Sequence, residues 1–459
     1  MSYLQSRLWF LGQYLNDPTA ANITVSYTIT GPLDVTRLHE ALAKVVAHHP
    51  TLRTCFYADD KTNEPVQGLL RQLPTSISLL KQVRAATRAD GVIDREFSAL
   101  KKHEWDLASG ETFGATLVYV EDEDTYVVIF GYHLIVMDGV SWSIFLRDLG
   151  RAYSTQPLSQ QAKLYIDAAV DQRRAVEFMS GGMQEAVSFW ERLYAELPEP
   201  VPFLPVASAR RRRPLVGYEI HRVIRDVDSH LVAKIKDACR ALRVTPFHFH
   251  LATVQALFAK LLPDLPELCI GIFDANRADD GSVSNTVGYF VNVLPLRFRL
   301  DDKQQASFAK VVWRTSAHVL EARRYGHVPF DVILDRANVP DDASVSPLCQ
   351  VAFNYRVGAM ADVALGDCRL AVDNFSDAQN RYDFSFGFYE NAAGALAVHI
   401  TCKSYIYDQA ATEFLIGVYV HLLEALASDA SRTAPEYALS GAATEYLESF
   451  SLGEGQCKT

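Results

Sequence analysis

The stretch His133-Leu134-Ile135-Val136-Met137-Asp138-Gly139 sets an imidazole and a carboxylate close together, two groups suited to moving a proton or holding a charge near neutral pH. His133 admits two readings: a base at the floor of a site, or a buried histidine hydrogen-bonded within its own turn. Asp138 is either a catalytic carboxylate or a structural anchor. His248 and His250 bracket Phe249, diverge on a helix and have no third ligand in view, so a core or surface role is expected. The seven cysteines are odd in number, widely spaced and free of Cys-x-x-Cys pairs, so neither a metal site nor a disulfide framework is indicated.

The elements around the motif follow from hydrophobic spacing. Strand-like runs at Ala115–Val120 and Tyr126–Phe130 flank the acidic turn Glu121-Asp122-Glu123-Asp124, a hairpin whose second strand runs into His133. After Gly139, Trp142, Phe145, Leu146 and Leu149 share one helical face, so the motif occupies a strand-turn-helix corner, with Trp142 and Phe145 expected in the core. Gly139 is read as relieving crowding where the strand becomes a helix. Upstream, Asp34 stands where a helix N-cap would, and Leu38, Leu42, Val45 and Val46 follow on one face until Pro50.

A chain of 459 residues with 49% hydrophobic and 22% charged residues can bury a large core. Its formal net charge of -11 argues against nucleic acid. The run Arg210–Arg213 is read as a solvated linker segment. The opening residues lack the layout of a signal peptide, and no stretch is read as a membrane span, so a cytoplasmic location is expected. The proline-rich stretch 196–216 is the best linker, dividing a first part, 1–195, from a second, 217–459. In the second part strands are expected at Glu219–Ile224, Leu268–Phe273, Val287–Phe298, Gln350–Tyr355, Asp383–Tyr389 and Ala395–Ile406, with four intervening or following helices. The mixture indicates an α+β class in each part.

With these elements placed, the sequence resembles the condensation domains of nonribosomal peptide synthetases, of the type fused to fungal iterative, highly reducing polyketide synthases. Ser2-Tyr3-Leu4-Gln5-Ser6-Arg7-Leu8-Trp9 is similar to the family's Ser-x-x-Gln-x-Arg-Leu-Trp opening, and His49 to Phe56 to its His-x-x-Leu-Arg-Thr-x-Phe element. Ala275-Asn276-Arg277, Gly288-Tyr289-Phe290-Val291-Asn292 and Val328-Pro329-Phe330-Asp331 resemble three later signatures in the right order, whereas Arg381-Tyr382-Asp383-Phe384-Ser385 matches the late one only in part.

The resemblance implies two chloramphenicol-acetyltransferase-like subdomains forming a V-shaped pseudodimer with a central tunnel. It implies no intrinsic cofactor and no metal: a phosphopantetheine arm would come from a partner acyl carrier domain, other synthase domains would flank the chain, and no membrane or nucleic acid would be involved. Tyr289, Asn354 and Tyr355 would line the tunnel by analogy, with a core role equally open for Tyr355. Asp138 would pair with Arg277 as an anchor. The family motif reads His-His-x-x-x-Asp-Gly, and its second histidine assists amine attack on a thioester; here Leu134 holds that position. On a strand, Leu134 and not His133 would face substrate, so we favour the buried reading of His133. The expected function is a condensation-like domain that receives a carrier-bound polyketide chain, with amide formation reduced or lost. Two alternatives stand beside it: an active acyltransferase joining a polyketide thioester to an amine, or a tunnel or docking element without acyl transfer. Enzymatic activity is therefore left open.

Overall fold

The computed structural model describes residues 1–459 apart from 15–16, 215–218, 278–280, 301–305, 343, 359–361, 380, 392, 434–435, 440 and 454–459. Cys457 and the last two positions of the expected linker, 215 and 216, lie outside the described residues. The chain forms two compact units, each mixing helices with a sheet.

The first unit is built on a six-stranded sheet in the order Val363–Leu365, Cys368–Ser376, Asn22–Thr30, Thr125–His133, Phe113–Val120, Leu80–Ala85. The expected hairpin is its centre: Val120 pairs with Thr125, and Asp124 takes a left-handed conformation in the acidic turn. Its strands read as nearly unbroken apolar runs because both faces are covered. Val127 and Ile129 pack against Ile93 and Phe97 of the helix Val92–Lys101. Val128 and Phe130 join the opposite core, where Trp142, Phe145 and Leu149 of the helix Gly139–Tyr153 meet Leu38, Leu42 and Val45 of the helix Val35–His48. Asp34 caps that last helix, its Oδ1 accepting from the Arg37 amide at 3.0 Å.

Segment membership departs from a division at 196–216. The second unit takes up the chain from Gln184, and the first unit recruits Ala275–Val291 and Met360–Asn380 from far downstream. The later segment supplies two strands, and it passes so near the motif helix that a Cβ on Gly150 would lie 2.5 Å from the Ala364 carbonyl. The strand expected from Val287 to Phe298 shortens accordingly to Asn292–Arg299. Residues 287–291 form no strand, because their backbone groups are committed elsewhere in the first unit.

The second unit holds another six-stranded sheet, ordered Ile220–Val227, Leu396–Lys403, Phe384–Glu390, Val351–Val357, Glu267–Asp274, Asn292–Arg299. The helix Gln409–Ser428, expected over about Ala410–Ala427, packs on it; by length and composition alone it could cross a membrane. Leu415, Ile416, Tyr419, Leu422 and Leu423 are buried within the unit, which is the ordinary reason for such a helix.

In the arginine run, Arg210, Arg211 and Arg213 are exposed, and the expectation is corrected at Arg212 alone. Arg212 is no solvated linker residue: its guanidinium pairs with Asp383, donates to the Val201 carbonyl at 2.6 Å and lies 4.8 Å over the Phe203 ring. Asp383 is buried and also holds Lys403 Nζ at 3.1 Å. The proline-rich strap is therefore fastened to the second unit by one carboxylate facing two cations. Replacing Asp383 by Ala would leave both cations desolvated, and we expect a loss of about 3–5 kcal/mol in urea unfolding; a loss below about 1 kcal/mol would refute this arrangement.

Candidate functional site

The strand Thr125–His133 ends at His133, and Leu134–Val136 form a single 3-10 turn before Asp138 caps the helix Gly139–Tyr153. The alternation argument of an extended strand thus stops one residue short of Leu134. The turn is held from outside: the Leu134 amide donates to the Ala21 carbonyl at 2.8 Å, and the buried Gln5 amide donates to the Ile135 carbonyl at 3.1 Å.

His133 is buried, and its Nδ1 accepts from the Ile135 amide at 3.2 Å. Accepting there puts the ring proton on Nε2, so the neutral imidazole has no lone pair left to take a proton without breaking its own turn. Burial lowers its pKa to about 4. Leu134, partly buried, packs at the edge of the first unit's core.

Asp138 is 1% exposed, and both of its oxygens are committed. Oδ1 accepts from the Ser141 amide at 2.8 Å and faces Arg277 Nη2 at 3.3 Å; Oδ2 accepts from the Phe290 amide at 2.9 Å. Arg277 Nη1 donates to the carbonyls of Val283 and Thr286 at 2.7 and 2.8 Å, and its guanidinium lies 4.4 Å over the Phe290 ring. This carboxylate holds backbone and a cation and has no oxygen free for a substrate. Gly139 begins the helix, and its carbonyl accepts from Ser143 Oγ at 3.3 Å.

Sequence reasoning missed three supporting residues. Ser141 Oγ donates to the Gly288 carbonyl at 2.6 Å and accepts from the Gly288 amide at 3.0 Å and from Arg277 Nη2 at 2.8 Å. Tyr165 donates to the Tyr289 carbonyl at 2.6 Å, and Ser2 Oγ lies 2.9 Å from the same phenol oxygen. Deeper along the motif helix, buried Asp148 accepts from His49 Nε2 at 2.9 Å and from Ser159 Oγ at 2.6 Å. Burial pushes the Asp148 carboxyl up, but those hydrogen bonds outweigh it and hold the pKa at about 2; burial lowers that of His49, so the pair is a neutral imidazole donating to a carboxylate. His48, His49 and Asp148 offer ligand-type atoms within 4.8 Å of one another, but His48 Nε2 must carry a proton to reach the Ser159 carbonyl at 2.9 Å. Those bonds leave His49 Nδ1 buried and without a hydrogen-bond partner.

Tyr289 belongs to the first unit with the motif; Asn354 and Tyr355 belong to the second. Tyr355 donates to Glu390 Oε2 at 2.8 Å, and Glu390 pairs with Lys236 at 2.7 Å, which makes this tyrosine part of a local polar chain. Asn354 sits on the strand Val351–Val357 opposite Gly387. His248 stays within its own helix terminus, 3.0 Å from Thr245 Oγ1, and buried His250 meets the Tyr419 hydroxyl at 2.8 Å. The six described cysteines are all buried.

The family model for the condensation domain matches residues 1–446. The chain belongs to the condensation-domain family. Among curated proteins it is 39% identical over 430 residues to the hybrid PKS-NRPS synthetase apdA of Emericella nidulans, covering 94% of this chain and 11% of that protein. It is 37% identical over 447 residues to the tenellin synthetase of Beauveria bassiana, covering 94% and 10%. The chain thus spans about a tenth of the length of these relatives. The condensation domain of the monacolin K polyketide synthase MokA shares the fold with a TM-score of 0.86 at 23% identity, covering 95% of this chain and 98% of that one. The X-domain from teicoplanin biosynthesis does so at 0.82 and 22%, covering 96% and 97%.

Two outcomes follow for this condensation domain. Asp138→Ala removes a partner of the Arg277 guanidinium and strands the Ser141 and Phe290 amides, and we expect about 3–5 kcal/mol lost in denaturant unfolding. A Cβ on Gly288 would fall 2.0 Å from the Tyr165 ring, so Gly288→Ala should cost about 1–3 kcal/mol and be relieved by also changing Tyr165 to Ala. An additive double mutant would remove that explanation.

Stability should also depend on pH through His133. Its folded pKa, about 4, lies below the unfolded value near 6.5, so the unfolded chain binds the extra proton between those limits. The contribution is complete above pH 6.5 and is lost as pH falls toward 4, at up to about 1.4 kcal/mol per pH unit. Unfolding measured at pH 7, 6 and 5 should show a shallower slope for His133→Gln; equal slopes would contradict the assignment.

Proposed function

We propose that this condensation domain receives a polyketide chain from an upstream acyl carrier domain, and that its own amide-forming activity is reduced or lost. The single observation carrying this is the absence of any free base in the motif: Leu134 stands at the proton-handling position, His133 has spent its lone pair on the Ile135 amide, and both Asp138 oxygens are committed. Condensation would form a C–N bond and break a C–S bond, with the amine giving up a proton and the leaving thiolate taking one. Leucine can neither accept that proton nor donate to the tetrahedral oxyanion. The missing group is worth about 10²–10⁴ in rate, while holding both partners together retains part of the acceleration. The phosphopantetheine arm and the acyl chain would both arrive on the carrier, and the domain itself would contribute residues only.

Two observations favour other readings. A relative 39% identical is named cyclo-acetoacetyl-L-tryptophan synthase, from Aspergillus oryzae, a name that joins an acyl group to an amino acid and supports an active acyltransferase. An X-domain of the same fold was solved in complex with OxyB, so the fold is compatible with a docking role.

The test loads an acyl chain on the upstream carrier, offers amines and compares the native domain with Leu134→His. We expect amide formation to rise at least a hundredfold in the variant. Rapid turnover by the native domain would overturn the proposal, and carrier binding without turnover in either protein would favour docking.

A further inference from the structure

Two thiols of the second unit meet in its interior. Cys269, on the strand Glu267–Asp274, and Cys349, just before the strand Val351–Val357, are both buried, and their sulfurs lie 3.0 Å apart. That is about 1 Å longer than a disulfide bond. Among the described residues no other two cysteines bring their sulfurs together.

The backbone brings them there at a cost. The two strands run parallel, with Val351 opposite Ile270. Immediately before them the Cys349 amide donates to the Pro347 carbonyl at 2.7 Å, a three-residue turn that puts Leu348 in the left-handed region at φ 58°. A bulky residue adopts that conformation only under strain. The turn seats Cys349 over the face of the neighbouring strand that carries Cys269 and Gly271: a Cβ on Gly271 would lie 3.6 Å from Cys349 Cβ.

The protons are ordered as well. Tyr194 spends its one proton on the Pro295 carbonyl at 2.9 Å, so Cys269, 3.3 Å away, donates to the phenol oxygen, and Cys349 donates to Cys269. Losing both thiol protons would therefore leave the Tyr194 bond to Pro295 intact and strand no donor.

We propose that Cys269 and Cys349 are an oxidisable dithiol that hydrogen peroxide converts to a disulfide within the folded domain. One thiolate attacks a peroxide oxygen and breaks the O–O bond, giving a sulfenic acid and a hydroxide that takes up a proton. The second thiol attacks the sulfenic sulfur, breaks its S–O bond and loses its own proton. The two sulfurs give up two electrons, the peroxide gains them, and two waters leave. Burial raises the Cys349 thiol, so the reaction runs over hours. The cross-link closes a loop between residues 80 positions apart, the long-loop case in which a disulfide restricts the unfolded chain most.

The test treats the intact domain with hydrogen peroxide, quenches it with catalase, alkylates the remaining thiols under denaturing conditions and maps the peptides. We expect a Cys269–Cys349 cross-linked peptide that dithiothreitol abolishes, and a melting temperature raised by at least about 3 °C until the bond is reduced. Cys269→Ala and Cys349→Ala should each remove both effects, while Cys402→Ala, at another buried thiol, should keep them. The wild-type peptide map decides the question even where a variant folds poorly. Sulfinic or sulfonic acid at either position without the cross-link, a cross-link through Cys457 or another cysteine in its place, no loss of thiols, or a lowered melting temperature in the cross-linked protein would overturn the proposal.

Discussion

A single buried carboxylate organises the motif. Asp138 starts a helix, pins the Phe290 amide and faces Arg277, so three stretches of chain meet on two oxygen atoms. A charge buried this deeply is tolerable only because both oxygens have donors and one of the donors is a cation. The surroundings reflect that demand. Ser141 takes up the same guanidinium nitrogen and both backbone groups of Gly288, and Tyr165 closes over the same segment where only a glycine fits. The motif's most polar residue thus serves architecture, which leaves the neighbouring histidine position to decide the chemistry.

Under the proposed function, that division of labour lets the residue at position 134 vary while the fold persists. Leu134 contributes to the rim of an apolar core and carries none of the hydrogen bonds that shape the corner. Its backbone amide does, through Ala21, and a backbone contact is indifferent to the side chain. The scaffold therefore places little constraint on residue type at the position to which the proposed function assigns proton transfer.

What was legible in the sequence was local. The acidic hairpin turn, the Asp34 cap and the aromatic face of Trp142 and Phe145 all rest on neighbours a few residues apart, where periodicity and capping chemistry speak directly. Family resemblance brought Asp138 and Arg277 together; spacing could not have done so, since 139 residues separate them. Ser141, Gln5 and Tyr165 stayed hidden because their partners lie equally far along the chain. Arg212 was misread because a basic run looks exposed until a tertiary partner, here Asp383, is known. The helix Gln409–Ser428 was legible in the sequence to within a residue or two at each end, because its apolar run is long and continuous.

The recruitment of Ala275–Val291 and Met360–Asn380 into the first unit bears on how the molecule is made. During synthesis, the strand Asn22–Thr30 must wait for Cys368–Ser376, and Asp138 for a guanidinium made 139 residues later. Pairings of such long sequence separation are slow to form. The ribosome therefore exposes a nascent first unit with an open sheet edge and an unneutralised internal charge until most of the chain has emerged. A division of the chain at its proline-rich strap, natural as it looks on paper, would separate a structure from its own missing pieces.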